Sequence, residues 1–237
     1  MLNYNNTTKE FFNTSESKIS AEFNNVPTDE QGDRIGILFI GSNPQWPGSE
    51  NNKILNNMFY DFTKKKYCVM KVICKPYDSI LFRKNEFKDI KYVRDISVVI
   101  DCFFSKFSCV KYFIILGYSW GAGIAFNILL RRPEISSFIL ISPTLSLKQC
   151  DFTSSLSIFK TNGLIVHGSK DEITPLDTLN TFTKLLESKK FNIKTKVIPE
   201  ANHYFTEGYE SLIKSIEDYL QDIRNNSSIF NDSKESI

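Results

Sequence analysis

The sequence predicts an α/β protein, a mostly parallel sheet covered by helices on both faces. Two observations predict it. Apolar runs of strand length alternate with segments of ten or more residues that have helical spacing, and the strand runs are almost continuously apolar, as strands buried on both faces must be. No internal repeat appears, and no linker separates two cores. Residues 1–224 therefore read as a single domain and 225–237, "NNSSIFNDSKESI", as a polar, disordered tail.

Two short β-like pieces open the chain, near Glu10–Asn13 and Ser17–Phe23, with "TSES" as the turn between them. "VPTDEQGD" is a polar loop and "RIGILFIG" a buried strand ending at Gly41. From Asn51 to Lys66, Ile54, Leu55, Met58, Phe59 and Phe62 recur at helical spacing. "YCVMKVIC" is the next strand, and Lys88–Phe107 the next helix, with Ile96, Val99, Ile100, Phe103 and Phe104 on one stripe. The alternation continues through the strand "VKYFIILG", the helix Trp120–Arg131 and the strands "SSFILIS" and "GLIVHG". The helix Pro175–Ser188, with Pro175 near its first turn, the strand "IKTKVIP" and the helix Thr206–Ile223 complete it.

Composition narrows the function. Hydrophobic residues at 41% and charged residues at 24% are ordinary for a globular protein with a buried core. A net charge of +2, with no basic stripe interleaved with aromatics, argues against a nucleic-acid partner. The five cysteines (Cys68, Cys74, Cys102, Cys109, Cys150) have no C-x-x-C spacing, and four fall in apolar runs, which predicts buried free thiols and fits a reducing cytoplasm. The N-terminus has no basic region followed by an apolar one, so no secretory signal is expected, and no window approaches transmembrane length.

The motif that carries chemistry is Gly117-x-Ser119-x-Gly121 in "IILGYSWGAGIAF", directly between a strand and a helix. In that context G-x-S-x-G is a nucleophile elbow. The turn is so tight that a Cβ at either glycine would clash. The serine is expected in strained backbone geometry that lifts Oγ clear of the strand end, where the helix N-terminus favours developing negative charge.

A serine hydroxyl needs a base within hydrogen-bond reach. Of the two histidines, His203 falls in the loop "PEANHYF" after the last strand, whereas His167 ends the strand "GLIVHG" and reads as structural. Asp171 follows in the loop "SKDEITP". The order Ser119, Asp171, His203 is the one this architecture requires, with acid and base both in loops at the carboxyl edge of the sheet. Glu172 and Asp151 are the fallback acids.

These residues resemble the α/β-hydrolase superfamily. More narrowly, they resemble a group of small bacterial hydrolases without a large lid domain, which carries segments close to H-P-H-P-x-x-G-G, G-x-S-[FY]-G-[AG], R-R-P-E-I, D-x-x-x-P and A-N-H-F-F. This chain has "NPQWPGSENNKI", "GYSWGAG", "RRPEI", "DEITP" and "ANHYF" in the same order, and "FFNTSESKISAEF" is similar to the group's first hairpin. The resemblance covers about Lys9 to Leu220. It implies an α/β-hydrolase fold with an N-terminal antiparallel hairpin and no large cap domain. Where the group has H-P-H-P this chain has "GSNP", Gly41 to Pro44. The resemblance implies oxyanion-hole donors from the backbone N–H groups of Asn43 and of Trp120, next to the nucleophile; Pro44 has no N–H to offer. Trp46 is placed to wall a substrate pocket. Residues 143–162 contain no long helical pattern, so no lid of several helices is expected.

The expected function is a serine hydrolase that cleaves a carboxylic ester or thioester through an acyl-enzyme. No metal or organic cofactor is implied, and the partner is a small-molecule or acyl-group substrate. An amidase would use the same triad with a larger binding apparatus, and a cysteine-based hydrolase fails because no cysteine occupies the elbow. The alternative class is a non-catalytic α/β-hydrolase-like binding protein, which the departure at Gly41–Pro44 would suit.

Overall fold

The computed structural model describes residues 7–13, 18–24, 34–41, 43–44, 52–75, 88–144 and 161–225. In chain order these form β1 (Thr7–Asn13), β2 (Lys18–Asn24), β3 (Arg34–Ile40), α1 (Lys53–Lys64), β4 (Cys68–Ile73), α2 (Lys88–Lys106), β5 (Val110–Tyr118) and α3 (Trp120–Leu129). There follow β6 (Ser137–Ile141), β7 (Asn162–Gly168), α4 (Leu176–Ser188), β8 (Asn192–Ile198) and α5 (Tyr209–Asn225).

The eight strands make one sheet in the order β1-β2-β4-β3-β5-β6-β7-β8. The hairpin β1–β2 is antiparallel and joins β4 antiparallel, while β4 to β8 are parallel throughout. Successive residues of β3 feed opposite cores, because a strand's side chains alternate across the sheet. Leu38 and Ile40 pack with Ile96, Val99, Phe103, Phe126 and Phe182 of α2, α3 and α4. Ile35, Ile37 and Phe39 pack with Leu55, Phe59 and Phe62 of α1 and with Ile216 and Leu220 of α5. Both faces are therefore covered, which explains the unbroken apolar strand runs.

The elements agree with the sequence reading, with small shifts at their ends. Asn52 caps α1 by accepting a hydrogen bond from the Leu55 N–H at 3.0 Å. Pro175 lies before α4 rather than within it, at φ −60° and ψ 149°. The last helix begins at Tyr209 instead of Thr206 because Phe205 (φ 47°) and Gly208 (φ 82°) turn the chain first. Of the cysteines, Cys68 is buried, while Cys74, Cys102 and Cys109 are only half-buried; all four are free thiols. Cys150, Asp151, Trp46 and the tail from residue 226 lie outside the described residues, as do residues 145–160, most of the 143–162 segment in which no lid of several helices is expected. Among the described residues no helix is long and apolar enough to cross a membrane.

One core residue escaped the apolar pattern. Lys71 on β4 is 6% exposed yet charged. Its ammonium is satisfied by Glu22 of β2 at 2.8 Å and by Asn56 of α1 at 2.7 Å, and it lies 4.9 Å from the centre of the Phe59 ring. A buried charge with that many partners ties the antiparallel hairpin to the parallel part of the sheet.

Candidate active site

The chain runs left from β3 to β4 and then returns to place β5 on the other side of β3. The carboxyl ends of β3 and β5 flank that reversal, where open α/β sheets leave a crevice. Ser119 sits there, between the end of β5 and the first residue of α3. Its φ of 56° and ψ of −121° are a conformation that a non-glycine residue adopts only when its surroundings force it. The force is visible at the flanking glycines. A Cβ on Gly121 would lie 2.3 Å from the carbonyl oxygens of both Ile40 and Gly41, and one on Gly117 would lie 2.5 Å from the Ala122 Cα and the Gly121 oxygen. The Ser119 N–H also bonds to the Ile141 carbonyl at 2.9 Å, which anchors the turn to β6.

Two loops bring Asp171 and His203 to this point. After β7, the chain bends so that the Ser169 and Lys170 N–H groups donate to the carbonyls of Ile198 and Ala201, each at 2.9 Å. The loops after β7 and β8 are thereby stitched together. Asn202 shapes the second loop, its Oδ1 accepting from the Tyr204 N–H (3.1 Å) and the Thr206 N–H (3.2 Å). The result places His203 Nε2 2.9 Å from Ser119 Oγ, and His203 Nδ1 2.9 Å and 3.0 Å from the two Asp171 oxygens. All three side chains are buried.

The carboxylate itself is held by main chain. Asp171 Oδ1 accepts from the N–H groups of Ile173 (3.0 Å) and Thr174 (2.8 Å). Burial pushes the Asp171 carboxyl up, but hydrogen bonds from His203 and the Thr174 N–H outweigh it and hold the group below its ordinary value. Burial likewise pushes His167 below the usual histidine value, against smaller opposing effects of Thr174 and Asp171. Both groups bind protons more readily in the unfolded chain, so their stabilisation is complete near neutrality and is lost on acidification. His167 begins to contribute this loss below about pH 6.5, and Asp171 below about pH 5. Asp171→Asn is therefore expected to flatten the stability curve below about pH 5, measured by urea unfolding at each pH.

The geometry unites Ser119, Asp171 and His203 and sets the other candidates apart. His167 is fully buried on the strand, with no contact to Ser119. Glu172 is exposed, and its neighbour Asp171 takes the contact with His203. Trp120 begins α3, so its N–H belongs to the helix N-terminus beside Ser119, while its indole packs edge-on against Tyr92 of α2 with ring centres 5.0 Å apart. Asn43 is half-buried, two residues beyond the Gly41 carbonyl that touches the elbow.

Three contributors went unforeseen. The Tyr118 hydroxyl donates to the His203 carbonyl at 3.1 Å, and its ring lies 5.6 Å from the imidazole, so the residue before Ser119 braces His203. The Thr174 main chain binds Asp171 through its N–H and His167 through its carbonyl. Ser142, at φ 43° after β6, turns a buried hydroxyl into the neighbourhood of Asp171. Only Tyr118 had a sequence signal, its place inside the elbow motif.

An eight-stranded sheet with an antiparallel hairpin, and a strained serine at its reversal point, define an alpha/beta hydrolase. The sequence pattern of the dienelactone hydrolase family matches residues 78–227, and the chain belongs to that family. It is a hydrolase. An uncharacterised protein from Rickettsia prowazekii is 29% identical over 193 residues, covering 80% of this chain and 79% of its own. Among solved structures, a protein of unknown function from Agrobacterium tumefaciens, a candidate alpha/beta hydrolase, is 29% identical with a TM-score of 0.73, covering 92% of this chain and 97% of its own. A serine hydrolase without a lid from Xanthomonas campestris shares the fold at 15% identity and a TM-score of 0.69, covering 95% of this chain and 97% of its own.

Proposed function

We propose that the protein is a serine hydrolase of carboxylic esters or thioesters, with Ser119 as nucleophile, His203 as general base and acid, and Asp171 as the group that orients and charges-balances His203. One observation carries the reading: Ser119 Oγ, His203 and Asp171 form a continuous hydrogen-bonded line at 2.9 Å per step, with the serine in elbow geometry. Fold alone would not support it, since one fold hosts many functions.

Ser119 Oγ attacks the substrate carbonyl while its proton passes to His203 Nε2, and Asp171 stabilises the resulting imidazolium. The oxyanion is received by the N–H groups of Trp120 and Asn43, the first aided by the α3 dipole. Collapse breaks the bond to the alcohol or thiol, which leaves with the proton from His203. Water, deprotonated by His203, then attacks the acyl-enzyme, and Ser119 departs with that proton.

The experiment is covalent labelling. A fluorophosphonate probe is expected to add one mass increment on Ser119 of the wild-type protein and none to Ser119→Ala. Absence of label on the wild type would overturn the reading and favour a non-catalytic binding protein. A panel of p-nitrophenyl esters and acyl thioesters of graded length then assigns the acyl group.

A further inference from the structure

His167 is the first of the chain's two histidines, and its side chain is completely buried although it makes no contact with Ser119. Its Nε2 lies 2.7 Å from the Thr174 carbonyl and 3.6 Å from Asp171 Oδ2. Both neighbours are acceptors, so Nε2 must carry the hydrogen. Among the described residues Nδ1 has no hydrogen-bond partner, and in the neutral ring it is the nitrogen without a proton.

The contact matters because of what Thr174 does at its other end. The Thr174 N–H donates to Asp171 Oδ1 at 2.8 Å while its carbonyl receives His167. One residue's main chain is thus pinned between the buried histidine and the carboxylate. Asp171 Oδ1 is further fixed by the Ile173 N–H, and the two oxygens sit almost equally far from His203 Nδ1, at 3.0 Å and 2.9 Å. A small rotation of the loop would favour one oxygen and tilt the imidazole away from Ser119, and misplacement of a catalytic group by about 1 Å costs on the order of a hundredfold in rate.

We propose that His167 is a positioning residue: its Nε2–H, by holding the Thr174 carbonyl, sets the angle at which Asp171 meets His203. The inference rests on the hydrolase reading. It also separates two variants. Leucine at 167 fills similar space without a donor, whereas glutamine can present an N–H to the same carbonyl.

His167→Leu is expected to lower kcat by about thirtyfold with KM within twofold, and to move the acid limb of the kcat/KM profile to lower pH, since a tilted carboxylate supports the imidazolium less well. His167→Gln is expected to restore kcat to within about fivefold of wild type and to return the limb. Equal losses in both variants, or an unmoved limb, would show that the side chain merely fills the core and would overturn the proposal. Unaltered kcat in the leucine variant would overturn it as well. Should the leucine variant fail to fold, nitrogen-15 spectra of the wild-type histidines decide: the Nε2–H tautomer at His167 supports the proposal and the Nδ1–H tautomer refutes it. The two readings fail differently. If wild-type protein takes no fluorophosphonate label, the hydrolase reading falls and carries this one with it. If wild type and His167→Leu label equally fast, only the positioning role is lost.

Discussion

His203→Ala is expected to reduce ester turnover by about 10^4- to 10^6-fold while the protein still folds, the scale seen when the base of a serine triad is removed. The structure gives the reason. His203 Nε2 is the nitrogen within 2.9 Å of Ser119 Oγ, and the other imidazole in the chain has its Nε2 committed to the Thr174 carbonyl. His167 therefore cannot stand in as base. The residual rate would come from substrate binding and from the oxyanion donors, so KM should change far less than kcat. Steady-state kinetics on a p-nitrophenyl ester, with circular dichroism to verify folding, test this. A His203→Ala protein retaining more than a tenth of wild-type kcat would remove His203 from the mechanism.

The second large effect concerns architecture. Gly121→Ala is expected to cost about 3 kcal/mol, lowering the melting temperature by about 10 °C, and to suppress labelling of Ser119 in whatever protein remains folded. The added methyl would meet the Ile40 and Gly41 carbonyl oxygens at 2.3 Å. Those atoms are main chain at the end of a central strand, where Ile40 is paired on both sides, and they cannot rotate away as a side chain would. To admit the methyl, α3 must lift from β3, and Ser119 must leave its φ of 56°. Thermal unfolding and probe labelling measured on the same sample separate loss of stability from loss of the elbow. A normal melting temperature with normal labelling would mean that the close approach is not required.

Much of this molecule is legible in its sequence. The strands from β3 to β7 declare themselves because both faces of a parallel sheet are covered, so that most of their positions are apolar. The elbow is legible because only glycine fits at Gly117 and Gly121, which leaves a fixed spacing around Ser119. The meeting of Asp171 and His203 with Ser119 follows from chain order, since loops after successive parallel strands emerge at one edge. What could not be read depends on approaches between distant segments. The Tyr118 hydroxyl meets a carbonyl 85 residues away, and Lys71 is tolerated in the core only because Glu22 and Asn56 converge on it. The late start of α5 was hidden because nothing in "HYFTEG" signals that Phe205 and Gly208 will turn the chain. The buried His167 reads as an ordinary strand-end histidine until the Thr174 carbonyl is seen against it.

The contact of Gly121 with the Ile40 and Gly41 carbonyls has a consequence for how such a protein can diversify. It is a contact of backbone on backbone, so it is indifferent to which side chains come next along the chain. Asn43 lies two residues past Gly41, so the close approach to the elbow is made at Ile40 and Gly41, before that position is reached. A substitution at Asn43 thus changes a fitting on a fixed mount, and leaves Ser119 where the two carbonyls hold it.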